Sequence, residues 1–374
     1  MTNKKGGIVA IDPSTGEILA LVSSPTYDPN LFVGRDFSKN YTILSNDTVG
    51  IPLFARAFQA YYPPGSTFKL MDALIGQQEG VLTPQTLYPC HAGFTLNKGV
   101  PGCHVHASPL NLDGAISQSC NSYFSWVFKT IMDNNKFHGN TQAAFENWRK
   151  YISSFGVGQK LGTDVPFDSK GNVPTVETYN AIYGKGWHTM NVISLGIGQA
   201  ELGLTPLQMC NVVCSIANRG YYYTPHVIRK VGDNNPLEKW KLKHYTLVTD
   251  QSAYESVISG MANVLVSGTA RASAIPGIEM CGKTGTAQNP HGDNHSVFVC
   301  FAPRINPKIC VAVLVENAGQ GAWWAAPIAS LMVEQYLKGN IPEPERQVIL
   351  KRMENGDLIH MDPKIKKTNP AYWQ

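Results

Sequence analysis

The 374-residue sequence has no apolar run long enough to cross a bilayer: its longest, Ile309 to Val315, falls far short of the roughly 20 residues a spanning helix needs. Charge is sparse. Only 16% of residues are charged, the net charge is +4, and the basic residues are dispersed except near the C-terminus, so the composition gives no reason to invoke nucleic acid. Eight cysteines over this length exclude a disulfide-dense scaffold. There is no internal repeat and no low-complexity segment. Met1 to Lys5 run straight into the strand-like GGIVAID, which leaves no room for a signal peptide or anchor, as expected of a cytosolic protein or of a piece of a longer chain. What is present is a globular composition, 43% hydrophobic, enough for one large domain or two to three small ones.

Strand patterning sits at the two ends. GGIVAIDPSTGEILALVSSP reads as a hairpin, with β-rich runs Ile8 to Ile11 and Ile18 to Val22 joined by the turn residues Asp12 to Gly16. Comparable runs recur at Lys283 to Gln288, His295 to Phe301 and Ile309 to Val315, and Trp323 to Leu337 then reads as a helix. Between them helical periods dominate, among them Leu110 to Ile131, Thr141 to Phe155, Pro206 to Ala217 and Gln251 to Val266. A sheet drawn from both ends around an inserted helical block predicts a two-lobed α/β molecule with a site in its crevice. After Gly339 the chain turns polar and charged, which predicts a surface helix and a loose tail.

In YYPPGSTFKLMDALIGQQEG, Pro63, Pro64 and Gly65 set the entry to a helix that Gly80 can stop. Ser66 falls in its first turn, and Lys69, three residues on, shares its face. Phe68, Met71, Leu74 and Ile75 anchor the helix in a core. Alone, Ser-x-x-Lys is more often a capping hydroxyl beside a solvated lysine. Two further patterns follow it: Ser119-Cys120-Asn121, and Lys283-Thr284-Gly285-Thr286 on an expected strand. Each is weak by itself, but their order is hard to dismiss.

That triple resembles the penicilloyl-serine family, which comprises penicillin-binding transpeptidases, serine β-lactamases and their sensor relatives. FARAFQAYYPPGSTFK, SLGIGQAELGLTPLQM, KTGTAQN with HSVFVCFAP, and IVAIDPSTGEILALVSSPTYDPN look together like class B penicillin-binding proteins. SSPTYDPNLF and YYPPGSTFK are closest to the penicillin-binding protein 2 branch. The similarity runs from about Gly6 to Leu337. It implies an antiparallel sheet flanked by helices plus an inserted, mainly helical lobe. Residues 1–50 and 271–340 would form the sheet lobe and 51–270 the helical lobe, within a single transpeptidase domain ending in a polar tail at 341–374.

The resemblance implies a D,D-transpeptidase acting on the D-Ala-D-Ala end of peptidoglycan stem peptides and acylated by β-lactams, with no cofactor for the chemistry. Ser66 is the expected nucleophile. Lys69 would be its base, held neutral by desolvation and nearby positive charge. Ser119 would relay the proton, and Asn121 would orient Lys69 and hold the donor's amide. Lys283, Thr284 and Thr286 would bind the terminal carboxylate, with Gly285 removing a side chain that would block substrate. The N–H groups of Ser66 and Thr286 would form the oxyanion hole. The implied location is the periplasmic face of the inner membrane, and the implied partners are membrane proteins of the elongation machinery.

Two competing activities remain open. A β-lactamase needs a group to activate water, and ETYN, Glu177 to Asn180, has the wrong spacing for the Glu-x-x-x-Asn element of class A enzymes. A β-lactam sensor would be acylated without turnover.

Five cysteines, Cys210, Cys214, Cys281, Cys300 and Cys310, sit in apolar helix or strand patterns and read as core side chains. The others lie among histidines. Some relatives of penicillin-binding protein 2 carry zinc with a ligand inside the Ser-x-Asn motif. By that resemblance a structural zinc would be held by Cys90, Cys103, His106 and Cys120, with His104 or His91 as substitutes. A Cys90–Cys103 disulfide and unconnected buried thiols are the alternatives.

Overall fold

A computed structural model describes residues 1, 3–232 and 238–360. The opening hairpin forms as β1 (Gly6–Ile11) and β2 (Ile18–Ser24). Then come α1 (Phe37–Ser45), α2 (Lys69–Gln78), α3 (Leu112–Ser117), α4 (Asn121–Met132), α5 (Asn135–His138), α6 (Thr141–Ser154), α7 (Val176–Tyr183) and α8 (Pro206–Ala217). A short ribbon, β3 (Tyr221–Tyr223) with β4 (Lys243–Tyr245), precedes α9 (Gln251–Val266). The chain continues through β5 (Cys281–Ala287), β6 (His295–Ala302) and β7 (Ile309–Val315) to α10 (Ala325–Lys338) and α11 (Pro344–Asn355).

The main sheet runs β2-β1-β7-β6-β5, antiparallel throughout, so strands from the two ends of the chain meet at β1 and β7 with Ile8 opposite Val313. Every residue of β1 and β7 is buried. That is the pattern of strands covered on both faces, and α8 and α10 both pack on this sheet centre. β5 is an edge strand with one free side, a position of direct consequence for the site.

In the helical part, α2 is buried from Lys69 through Gly76 and packs against α4, α6 and α9. A helix buried on all sides belongs in a core, and α2 carries the charged Lys69 and Asp72 into it. Phe68, Met71, Leu74 and Ile75 are each at most 1% exposed, and burying a side chain of this size contributes about 2 kcal/mol. Gly80 follows its last turn at φ +69, the left-handed conformation that ends helices.

Local signals set several boundaries. Thr205 and Gln208 form a capping box, with Pro206 at the first helical position, and α8 spans Pro206–Ala217 as its pattern predicts. The period from Leu110 to Ile131 behaves differently, breaking into α3 and α4 at Gln118–Cys120, where Ser119 takes φ +57. Helical periodicity passes over a single left-handed residue without changing phase enough to reveal it.

The region after Gly339 is more firmly held than its polarity predicts. Arg346 of α11 is buried and donates to Glu334 at 2.7 Å and to Ser330 at 3.0 Å on α10. Lys4 donates to the Gly356 carbonyl at 2.6 Å, tying this region back to the first strand. The remainder of the expected tail, 361–374, lies outside the described residues. Among the described residues, no helix is long and apolar enough to cross a membrane.

Candidate active site

Ser66 sits on a single 3-10 turn, Gly65–Thr67, immediately before α2. Such a turn eclipses residues three apart, so Ser66 and Lys69 keep a common face although Ser66 precedes the α-helix itself. Gly65 adopts φ +56, and a Cβ there would lie 2.7 Å from the Thr286 carbonyl oxygen of β5. Glycine therefore serves both the turn and a close approach to the edge strand. The Gly65 N–H donates to Gly198 O at 2.8 Å, and the Thr67 hydroxyl closes the turn onto Pro64 O at 2.8 Å.

Lys69 is fully buried. Its Nζ donates to the Ser119 carbonyl at 2.8 Å and to Asn121 Oδ1 at 2.6 Å, and it lies over the Phe124 ring. Burial lowers its pKa to about 8, against an opposing pull from the nearby thiols of Cys120, Cys103 and Cys90. The like charge expected beside Lys69 acts mainly in the other direction: burial and then the Lys69 charge hold Lys283 well below the ordinary ammonium value.

Lys283 donates to Ser119 Oγ at 2.7 Å and to Thr284 O at 3.0 Å. The left-handed backbone of Ser119 is what permits this double use, with its carbonyl turned toward Lys69 and its hydroxyl toward Lys283. A non-glycine residue held this way stores about 1 kcal/mol of strain, as functional sites often do. Asn121 is fixed in turn, its Nδ2 donating to Gly102 O at 2.7 Å. Lys69, Ser119, Asn121 and Lys283, which span more than half the chain, thus form one hydrogen-bonded group.

On β5, alternation places Thr284 and Thr286 on one face. The Thr284 hydroxyl is engaged with Thr269 Oγ1 at 2.6 Å, whereas Thr286 is half-buried. For Gly285 the structure supplies a packing reason of its own. A Cβ there would come within 3.0 Å of Pro64 O and 3.1 Å of Thr67 Cγ2, so its missing side chain lets the strand pack against the serine turn.

The sulfur and imidazole donors of Cys90, Cys103, His106 and Cys120 lie within 4.8 Å of one another. All eight cysteines are free thiols, which removes the Cys90–Cys103 disulfide. The histidine in the group is His106, not His91 or His104. Its Nδ1 lies 2.7 Å from Ala107 O, and because a carbonyl only accepts, Nδ1 carries the proton and Nε2 turns its lone pair toward Cys103 Sγ at 3.4 Å. A hydrogen bond from Cys120 holds the Cys103 thiol well below its usual range, and the same shared bond, with burial, pushes Cys120 up. Cys103 Sγ also accepts from the Asn121 N–H at 3.3 Å, so the cluster abuts the Ser-x-Asn motif.

Residues 6–334 match the family model described as the penicillin binding protein transpeptidase domain. The chain belongs to this family.

Among curated members, it is 32% identical over 371 residues to the peptidoglycan D,D-transpeptidase MrdA of Haemophilus influenzae, covering 92% of this chain and 55% of that protein. The chain spans about half the length of the curated relatives it matches first. Among solved structures it is similar to penicillin-binding protein 2 of Pseudomonas aeruginosa in complex with WCK 5153, at 32% identity and TM-score 0.77, covering 90% of this chain and 71% of the other. It is also similar to penicillin-binding protein 2 of Helicobacter pylori in complex with MreC, at 26% identity and TM-score 0.73, covering 91% and 61%. The antiparallel sheet with its flanking helices is the fold of these transpeptidase domains.

Sequence reading missed two residues beside this candidate site. Thr269 engages Thr284 from the loop after α9, and nothing in its local sequence marks it. Gln199 spans to β5 from the SLGIGQAELG run, where Gly196 and Gly198 just before it were the available signal.

Proposed function

We propose that this chain is the catalytic part of a peptidoglycan D,D-transpeptidase acting through a Ser66 acyl-enzyme. The observation that carries this reading is the hydrogen bonding of Lys69. A neutral amine has two N–H bonds and one lone pair. With both donors directed at Ser119 O and Asn121 Oδ1, the lone pair is uncommitted and would take the proton of Ser66, three residues before it in the chain.

In acylation, Ser66 Oγ adds to the carbonyl of the penultimate D-Ala while its proton passes to Lys69 Nζ. The resulting oxyanion lies between the N–H groups of Ser66 and Thr286, where each donor contributes about 3 kcal/mol in comparable sites. The C–N bond then breaks. The departing D-Ala nitrogen takes a proton through the Ser119 hydroxyl, and Lys69 returns to neutral. In the second half, the side-chain amine of a neighbouring stem attacks the ester and loses a proton to Lys69, which passes it to Ser66 Oγ as the ester C–O bond breaks, restoring both residues to their starting state. Lys283, Thr284 and Thr286 take the terminal carboxylate, with Thr269 in hydrogen-bond reach of the Thr284 hydroxyl, and the carboxylate's negative charge favours the ammonium form of Lys283. A β-lactam enters as the donor's mimic and leaves Ser66 acylated.

Glu177, the carboxylate nearest in sequence pattern to a lactamase base, is exposed in the first turn of α7, which supports transfer to an amine rather than hydrolysis. The thiol and imidazole cluster suits a closed structural zinc site: three sulfurs, one imidazole with its tautomer set by a backbone carbonyl, and no disulfide. Bound there, zinc would supply folding stability and no chemistry. Its ligand Cys120, lying between Ser119 and Asn121, would brace both. The native setting is the periplasmic face of the inner membrane, with membrane proteins of the elongation machinery as partners, a reading supported by the MreC complex of the H. pylori relative.

The test is mass spectrometry after treatment with penicillin, together with turnover of a thioester donor in the presence of an amine. A penicilloyl adduct on Ser66 and amine-dependent product are expected. Label retained by Ser66→Ala, or acylation without transfer, would overturn the reading.

A further inference from the structure

Gln199 is buried, chemically inert and outside the three motifs, yet its side chain binds the end of β5 while the residue before it binds the serine turn, the two segments that build the oxyanion hole. Its Nε2 donates to Thr286 O at 3.0 Å, and its Oε1 accepts from the Gln288 N–H at 3.4 Å. The peptide just before it is bonded to the serine turn through Gly65 N–H to Gly198 O at 2.8 Å. That approach is close enough to require glycine: a Cβ on Gly198 would lie 2.1 Å from Gly65 O. Gln199 is also flanked by two left-handed residues, Gly198 at φ +70 and Ala200 at φ +64. The left-handed conformation at Ala200 is strained, and the surrounding contacts must offset that strain.

The direction of the Thr286 peptide groups gives this contact its meaning. In an extended strand, the N–H and C=O of one residue point to the same side. The Thr286 carbonyl is taken by Gln199 from outside the sheet, so its N–H also faces away from β6. A Cβ on Gly65 would lie 2.7 Å from Thr286 O and 3.2 Å from Thr286 N, which puts that N–H beside the turn carrying Ser66. The end of β5 is paired to a neighbouring strand on one side only. On its free side, one amide side chain joins it to a peptide already bonded to the residue before the nucleophile.

We propose that Gln199 is a positioning residue that sets the separation of the two oxyanion donors, the N–H groups of Ser66 and Thr286. The inference rests on the transpeptidase reading of the site. Gln199 touches no substrate atom. It acts by preventing the end of the edge strand from drifting, and a shift of about 1 Å in a catalytic group can cost 100-fold in rate.

The test uses the full 374-residue chain with Gln199→Met, which keeps the volume and removes both hydrogen bonds. Gln199→Glu serves as a second variant, keeping the acceptor for Gln288 and replacing the donor to Thr286. Two readouts are taken: the rate of acylation by a labelled penicillin, and the infrared stretch of the acyl carbonyl in the penicilloyl-enzyme made with carbon-13 label. A carbonyl seated between two donors is polarised and absorbs at lower wavenumber. In both variants acylation should fall by about 10- to 100-fold, and the carbonyl band should move up, with little change in melting temperature. Wild-type acylation rates, or slowed acylation with an unmoved band, would overturn the proposal, the second because it marks a purely structural role. Failure of the underlying reading shows up separately, as label retained by Ser66→Ala.

Discussion

Lys69 donates to Asn121 Oδ1 across 2.6 Å, joining the first residue of α2 to the first residue of α4. Through the adjacent Ser119 carbonyl, the same Nζ also holds the left-handed turn between α3 and α4. The amine is therefore both the proposed base and a structural tie, and substitutions must be chosen to separate these roles. Lys69→Met keeps the length and loses the nitrogen. Penicillin acylation should fall by roughly 100- to 10,000-fold, the usual range for loss of a general base. A fall of less than tenfold in a folded variant would remove Lys69 from that role.

The pH dependence follows from the Lys69 pKa of about 8. The form that accepts a proton is the neutral one, which grows as pH rises. At pH 7 roughly a tenth of the molecules carry it. Acylation should therefore increase through about pH 8 and level off above, measured as the labelling rate from pH 6 to 10. A flat profile would contradict the assignment.

Asp72 offers a stability prediction with a definite sign. It is fully buried, Oδ1 accepts from Trp148 Nε1 at 2.8 Å, and Oδ2 has no partner among the described residues. Burial raises its pKa well above the ordinary carboxyl value. The folded chain then keeps a proton that the unfolded chain releases as pH rises above its own carboxyl range, so stability falls across that interval. Asp72→Asn cannot ionise and retains the acceptor. It should raise the melting temperature at pH 7 to 8, with the gain shrinking toward pH 4. A lower melting temperature at neutral pH would show that the carboxyl is not carried as the neutral acid.

Gly65→Ala would place a Cβ 2.7 Å from Thr286 O at a backbone angle of φ +56. Alanine in this conformation is strained by about 1 kcal/mol, and the collision adds to it. Lower stability and slower acylation are expected together, read by thermal melting and penicillin labelling. Wild-type behaviour would mean that the serine turn and β5 are less closely apposed.

Zinc analysis checks the proposed metal. One ion per chain is expected in protein purified without added metal. Cys103→Ser should lose the metal, lower the melting temperature and slow acylation through the neighbouring Asn121. Absence of zinc from active wild-type protein would end the idea.

The sequence by itself determined the local parts. Pro63 to Gly65 set the serine turn, Thr205 and Gln208 cap α8, the apolar runs specify β1, β6 and β7, and the choice of thiols and imidazole marks a candidate metal group. These signals act over a few residues, where backbone propensity and side-chain alternation are strong enough to be read directly. Tertiary structure alone decided the rest. Only packing turns Ser119 left-handed between two lysines, selects His106 over His91 and His104, and lays Gly285 against Pro64. Desolvation and contact depend on what arrives from distant parts of the chain: the depressed pKa of Lys69 and the strut from Gln199 to Thr286 exist only once distant segments, α2, α4 and β5 among them, have packed together.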